Sequence, residues 1–326
     1  ISNIMDNIID NIIIMKHSDV LLSSPLQFGF KPNHSTVQCV FAVNEVIHLF
    51  VNNDSVCHIL LLDASKAFDR VHFVKLFDLL IKRDMCPLAI VFLIYVYTHQ
   101  SMSAKWNGLS SASFGCQNGV KQGGVLSPLL FCVYVDELLC RLKALKTGCH
   151  IGHTFTGAFG YADDLTLLAP SISSAKEMLH ECERFANEFH VLFNASKSLH
   201  QVLSKRILLP NNVCSLTLNG DVINKQSSAK LLGVNIGSDS ESLNLKLGAN
   251  DLTCRTNVLL SKFSYCDSNI LFCLFNAYCT HFYASPLWCF ENSHIKQLII
   301  SWKKMHQKNL ATKSTNQILF DSTHYL

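Results

Sequence analysis

The chain has 326 residues, about two domains' worth at roughly 150 residues each, and 49% of them are apolar, which excludes disorder over most of the length. Charged residues make up 16%, and 27 Lys plus Arg against 24 Asp plus Glu leave a net charge of +3, too small to mark a nucleic-acid partner by itself. The 14 cysteines, spread from Cys39 to Cys289 with no C-x-x-C pair, read as small buried hydrophobes in a reduced, intracellular protein.

In chain order, Ile4, Ile8, Ile9, Ile12 and Ile13 repeat at helical spacing from the first residues on, and a start at Ile1 reads as part of a longer polypeptide. The loop QFGFKPNHST (Gln27 to Thr36) precedes a helix over Val37 to Val51 with Val40, Val43, Ile47 and Phe50 on one face. Cys57 to Leu62 is short and continuously apolar, as in a strand buried on both faces, and it stops at Asp63. Phe73, Val74, Phe77, Leu80 and Ile81 then resume helical spacing. Pro87 to Val96 falls short of the ~20 apolar residues of a membrane-spanning helix, which predicts a core helix and no membrane partner.

GVKQGGVLSP is a glycine loop in which Ser127 is the expected N-cap and Pro128 the first helical residue. FGYADDLTLLAP predicts a hairpin with Asp163 and Asp164 at or beside its tip. Ser174 and Glu177 suggest a capping box ahead of an amphipathic helix through Met178, Cys182, Phe185 and Phe189. Asn219-Gly220 between β-type runs is a strong hairpin signal, followed by KLLGV (Lys230 to Val234), and from Ser242 the pattern is helical.

If the strands ending at Asp63 and carrying Asp163 and Asp164 are neighbours, three carboxylates converge. Like charges within ~4 Å raise one another's pKa unless a cation neutralises them, and oxygen donors favour Mg²⁺. Two such ions about 4 Å apart suit in-line phosphoryl transfer. The plainer alternative is a solvated Asp-Asp turn, with Asp63 a helix cap. Between Glu291 and Asp321 there is no acidic residue, while Lys296, Lys303, Lys304, Lys308 and Lys313 accompany Trp302. That segment reads either as a track for a phosphate backbone or as a solvated helix face.

Taken in order, ILLLDASKAFDRV, GVKQGGVLSP and FGYADDLTLL resemble the three core palm motifs of reverse transcriptases. QFGFKPNHST is similar to the element upstream of the first motif and FNASKS (Phe193 to Ser198) to the lysine-bearing fourth. KLLGV resembles the primer-grip motif of LINE-type retrotransposons without long terminal repeats, and LFNAYCTHFYASPLW (Leu274 to Trp288) their thumb. The resemblance covers about residues 25 to 290.

It implies an α+β right-hand polymerase: partial fingers (1–55), an antiparallel palm with helices on one face (56–205) and a fingers insertion near 82–118, a primer-grip hairpin region (206–240), and a helical thumb with a basic tail (241–326). The implied function is RNA-directed DNA synthesis, adding dNTPs to a DNA primer on an RNA template with two Mg²⁺ ions. Asp63, Asp163 and Asp164 would be catalytic metal ligands, the Ala64 carbonyl a further contact, and Phe68 a gate against the ribose 2′-OH. Gln122 and Gly123 would lie against template and nucleotide, and Lys197 would meet the pyrophosphate. Leu231, Leu232 and Gly233 would set the primer end, and Lys296, Lys303, Lys304 and Lys308 would hold nucleic acid. The family implies cytoplasm and nucleus. The alternative reading is an inactive remnant that keeps the fold and at most binds primer and template.

Overall fold

The run CHILLLD forms β1 (Cys57–Asp63), the middle strand of a five-stranded sheet. The computed structural model describes residues 4–121, 123–205, 215–237, 240–288, 295–296 and 298–303, in two units, Ile1–Leu232 and Gly233–Leu326. In the first unit, α1 (Ile4–Lys16) and α2 (Thr36–Asn52) precede β1; α3 (Phe73–Lys82), α4 (Pro87–Thr98) and α5 (Ser127–Ala144) follow it. A hairpin of β2 (Ala158–Tyr161) and β3 (Asp164–Ala169) comes next, then α6 (Ile172–Phe189), β4 (Leu199–Leu203) and β5 (Asn224–Lys225).

The strand order is β5-β4-β1-β3-β2. The four longer strands pair antiparallel, as expected for the palm, and only the two-residue β5 runs parallel to its neighbour. Alternation along β1 sends Leu60 and Leu62 into the main core with Leu130, Val133, Tyr134, Met178 and Phe185 of α5 and α6. Ile59 and its register partner Leu168 are also fully buried, outside that cluster, on the face where α2 packs against β1 and β2. Helices therefore cover both faces rather than one. The continuous apolar run of β1 is what two covered faces require.

Several local expectations are corrected. In α1 the buried residue is Ile13, with Ile9 and Ile14 packed on the core, whereas Ile4, Ile8 and Ile12 face outward. Helix α4 lies at the surface: only Ile90, Leu93 and Tyr97 are buried, while Leu88, Val91 and Tyr95 are exposed, because a helix apolar all round can press only one stripe against its neighbour α3. Ser127 is not the N-cap of α5. Its carboxylate substitute comes from α1, where Asp10 Oδ2 accepts from the N–H groups of Val125 (3.2 Å) and Leu126 (3.3 Å) at the positive end of the helix dipole. Ser171, not Ser174, caps α6, and a capping box does form, at Ser35 and Gln38 of α2.

The Asn219-Gly220 hairpin forms between Thr217–Leu218 and Asp221–Val222. A second hairpin joins β6 (Ala229–Leu231) to β7 (Val234–Ile236). In the second unit, α7 (Ser240–Phe263) and α8 (Ser268–Tyr278) share a core of Leu245, Leu252, Leu259, Phe275 and Cys279, against which Trp288 and Trp302 pack. The described cysteines are all free thiols. No helix among the described residues is long and apolar enough to cross a membrane.

Candidate active site

β1 ends at Asp63 and β3 begins at Asp164, and the antiparallel register sets these residues directly opposite each other. Opposed residues share a face of the sheet, so their carboxylates meet. Asp163 belongs to the two-residue turn, Ala162-Asp163, closed by the Tyr161 and Asp164 pair. Asp163 thus lies in the turn and Asp164 beside it in the ladder, and both are exposed. Solvent still reaches Asp164, yet its carboxyl lies above the usual carboxylate range, first through desolvation by the surrounding protein and then through the like charges of Asp163 and Asp63.

A tight connection brings Lys197 to the same place. The Asn194 N–H donates to the Asp63 carbonyl (2.9 Å), the Ser65 N–H to the Leu192 carbonyl (2.8 Å), and Ala64 bridges to Phe193. Ser198 Oγ accepts from the Asp63 N–H (3.2 Å) and donates to the Asn194 carbonyl (2.7 Å). Lys197 Nζ then stands 3.8 Å from Asp63 Oδ2, an ion-pair distance, while that buried oxygen has no hydrogen-bond donor. Asp63, Asp164, Lys197, Lys230, Leu231 and Leu232 line an open cleft of about 130 Å³. Leu232 (φ 45°) and Gly233 (φ 85°) form the turn after β6, and a leucine in that left-handed conformation is a strained position held by its surroundings.

Phe68 is half-buried, its ring stacked on Phe131 with centroids 4.4 Å apart and planes 17° apart. The Phe68 carbonyl accepts from the Val120 N–H (2.9 Å), so the glycine loop is fastened to the turn that carries the ring. Gly119 has to be glycine there, since φ is +91° and a Cβ would come within 3.0 Å of the Asp69 backbone. Gly123 also has positive φ, +85°, with open space where a side chain would be. Gln122, Lys304 and Lys308 lie outside the described residues; Lys296 and Lys303 are exposed.

A reverse transcriptase (RNA-dependent DNA polymerase) family model matches residues 1–236. The chain belongs to the reverse transcriptase family. It is 31% identical over 173 residues to the Retrovirus-related Pol polyprotein from type-2 retrotransposable element R2DM of Drosophila melanogaster, covering 53% of this chain and 16% of that protein. It is 27% identical over 217 residues to the probable RNA-directed DNA polymerase from transposon BS of the same species, covering 64% of this chain and 23% of that one. The chain thus spans less than a quarter of either relative. Among solved structures, telomerase from Candida albicans, in complex with a fragment of telomeric RNA, superimposes with a TM-score of 0.54 at 11% identity, over 98% of this chain and 58% of that one. That likeness shows the polymerase fold.

Reverse transcriptases use divalent metal ions. Among the described residues no three His, Cys, Asp or Glu side chains form a ready-made metal cage. Mg²⁺ does not need one: it keeps waters and substrate phosphates and takes only one or two carboxylates from protein. The all-oxygen donors, with Asp63 Oδ2 accepting no hydrogen bond, fit such an ion. Two further residues at this candidate site carry only a weak signal in the sequence. Lys230 faces the cleft, and its signal was the alternation of an exposed lysine between buried Ala229 and Leu231. Gln27, a polar residue between apolar neighbours, is fully buried beside the Asp163 turn.

Proposed function

We propose that the chain carries the polymerase centre of an RNA-directed DNA polymerase, extending a DNA primer on an RNA template with dNTPs. One observation carries this reading: Asp63 and Asp164 are register partners, with Asp163 in the adjoining turn and Lys197 beside Asp63. Asp63 and Asp163 are the metal ligands in this proposal, with Asp164 and the Ala64 carbonyl completing the site. Two Mg²⁺ ions, when bound, would lower the pKa of the primer 3′-OH and offset charge on the triphosphate.

The chain's own groups do the rest. Lys197 is placed to meet negative charge that develops on the leaving pyrophosphate. Phe68, backed by Phe131, presents a wall that a 2′-OH would strike, which selects deoxynucleotides. Gly123 with Gln122 lets backbone approach template and nucleotide. Leu231, Leu232 and Gly233 seat the primer end, the two leucines lining the same cleft as Asp63 and Asp164. Lys296, Lys303, Lys304 and Lys308 track the phosphate backbone. In these terms residues 1–55 are partial fingers, 56–205 the palm, 206–240 the primer-grip region and 241–326 the thumb and basic tail.

Primer extension on poly(rA) with dTTP or UTP, with and without a chelator, tests the proposal. Chelator-sensitive incorporation of dTTP over UTP is the expected result. Primer–template binding without extension would leave the inactive-remnant reading, and preference for UTP would make the chain an RNA-copying RNA polymerase.

A further inference from the structure

The turn that presents Asp163 is built on an unfavourable backbone. Ala162 has φ +55°, the conformation at the first central position of a two-residue hairpin turn where glycine is the usual occupant. Something must hold an alanine there. The segment QFG does so from more than a hundred residues away in sequence. Gln27 bridges in parallel to Gly160 of β2, where the Gly160 N–H donates to the Leu26 carbonyl (2.8 Å) and the Phe28 N–H to the Gly160 carbonyl (2.7 Å).

From that anchorage the fully buried Gln27 side chain reaches the turn. Its Oε1 accepts from the Ala162 N–H (2.9 Å) and the Gly29 N–H (2.8 Å), and its Nε2 donates a longer bond to the Ala162 carbonyl (3.4 Å). One amide therefore meets both polar groups of the strained residue. Two glycines make room for it: a Cβ on Gly29 would lie 2.5 Å from the Ala162 nitrogen, and one on Gly160 3.0 Å from Gln27 Nε2. A buried amide is retained only when its hydrogen bonds are made, so side chain and turn fix each other.

We infer that Gln27 is a positioning residue, whose amide clamps the left-handed Ala162 and so fixes where Asp163 offers its carboxylate to metal. This rests on the polymerase reading of the site, but the clamp has consequences of its own. Gln27→Met keeps size and loses all three of these bonds. Hydrogen exchange of the Ala162 amide should then quicken about tenfold or more. Mn²⁺ affinity, read by electron paramagnetic resonance of the full chain without substrate, should fall on the order of tenfold, the scale of lost outer-shell support. The kcat for extension should drop on the order of 10- to 100-fold, with KM for dTTP and primer–template affinity within about twofold.

Adding Ala162→Gly relieves the backbone and should restore part of the Mn²⁺ affinity and kcat, a rescue that general loosening of the fold would not give. Unchanged exchange at Ala162, or equal falls in thermal stability, primer–template affinity and Mn²⁺ affinity with no rescue by glycine, would overturn the inference. Asp163→Asn run alongside keeps the two readings apart. If it extends primers normally, the polymerase reading fails while exchange at Ala162 still reports on the clamp. If it is inactive and Gln27→Met behaves as the parent, only the clamp fails.

Discussion

At the residue scale, Asp163→Asn keeps shape and removes one charge. Mg²⁺-dependent extension should fall by several orders of magnitude, while primer–template affinity at low salt stays nearly the same, because a metal ligand acts on the transition state rather than on duplex binding. Extension assays paired with gel shifts check both halves. Phe68 is half-buried and stacked on Phe131, so Phe68→Ala should ease ribonucleotide use and also lower stability by about 3 kcal/mol, near the bottom of the range for a large aromatic. Competition between dTTP and UTP reads the first effect and urea unfolding the second; unchanged discrimination would make Phe68 a packing residue alone.

At the element scale, the palm sheet carries a titratable pair inside its core. His58 of β1 and His200 of β4 are buried with near-parallel rings, and one proton joins His58 Nδ1 and His200 Nε2 across 3.1 Å. Burial lowers both pKa values. For His200, from 6.5 to about 4, the neighbouring His58 and Lys225 lower it further, and Lys225 also acts on His58. Between those two pH values the unfolded chain binds a proton that the folded chain refuses, so stability rises with pH and is lost on acidification. The loss attributable to His200 reaches ~3 kcal/mol near pH 4, at 1.36 kcal/mol per unit of pKa. Urea midpoints across that window measure it. His58→Leu with His200→Leu should flatten the curve there; an unchanged slope would assign acid sensitivity to other groups.

At the scale of the whole molecule, a net charge of +3 leaves nucleic-acid binding to local clusters. If Lys303, Lys304 and Lys308 track phosphates, replacing all three by Gln should reduce the salt slope of primer–template binding by about 2 to 3 units, at roughly 0.7 to 0.9 per phosphate contact. A salt titration by gel shift decides it, and an unchanged slope would return the segment to a solvated helix face. Trp302 within that stretch packs against the core of the second unit, which favours the lysines over the indole as the groups that meet nucleic acid.

Sequence alone determined the order of the main elements and where the three candidate carboxylates fall in them, because local rules of alternation and turn chemistry act within a few residues: β1 stops at Asp63, Ala162-Asp163 turns, and Asn219-Gly220 turns. It did not determine which apolar stripe of α1 or α4 is buried, since both helices are apolar on several faces and only their neighbours choose among them. Nor could it show that Asp10 serves α5 or that Gln27 grips Ala162, because those hydrogen bonds join residues separated by more than a hundred positions. The register that pairs Asp63 with Asp164 belongs to the same class. A one-residue slip would have sent one carboxylate to the opposite face, and it is the packing of both faces of the sheet that forbids the slip.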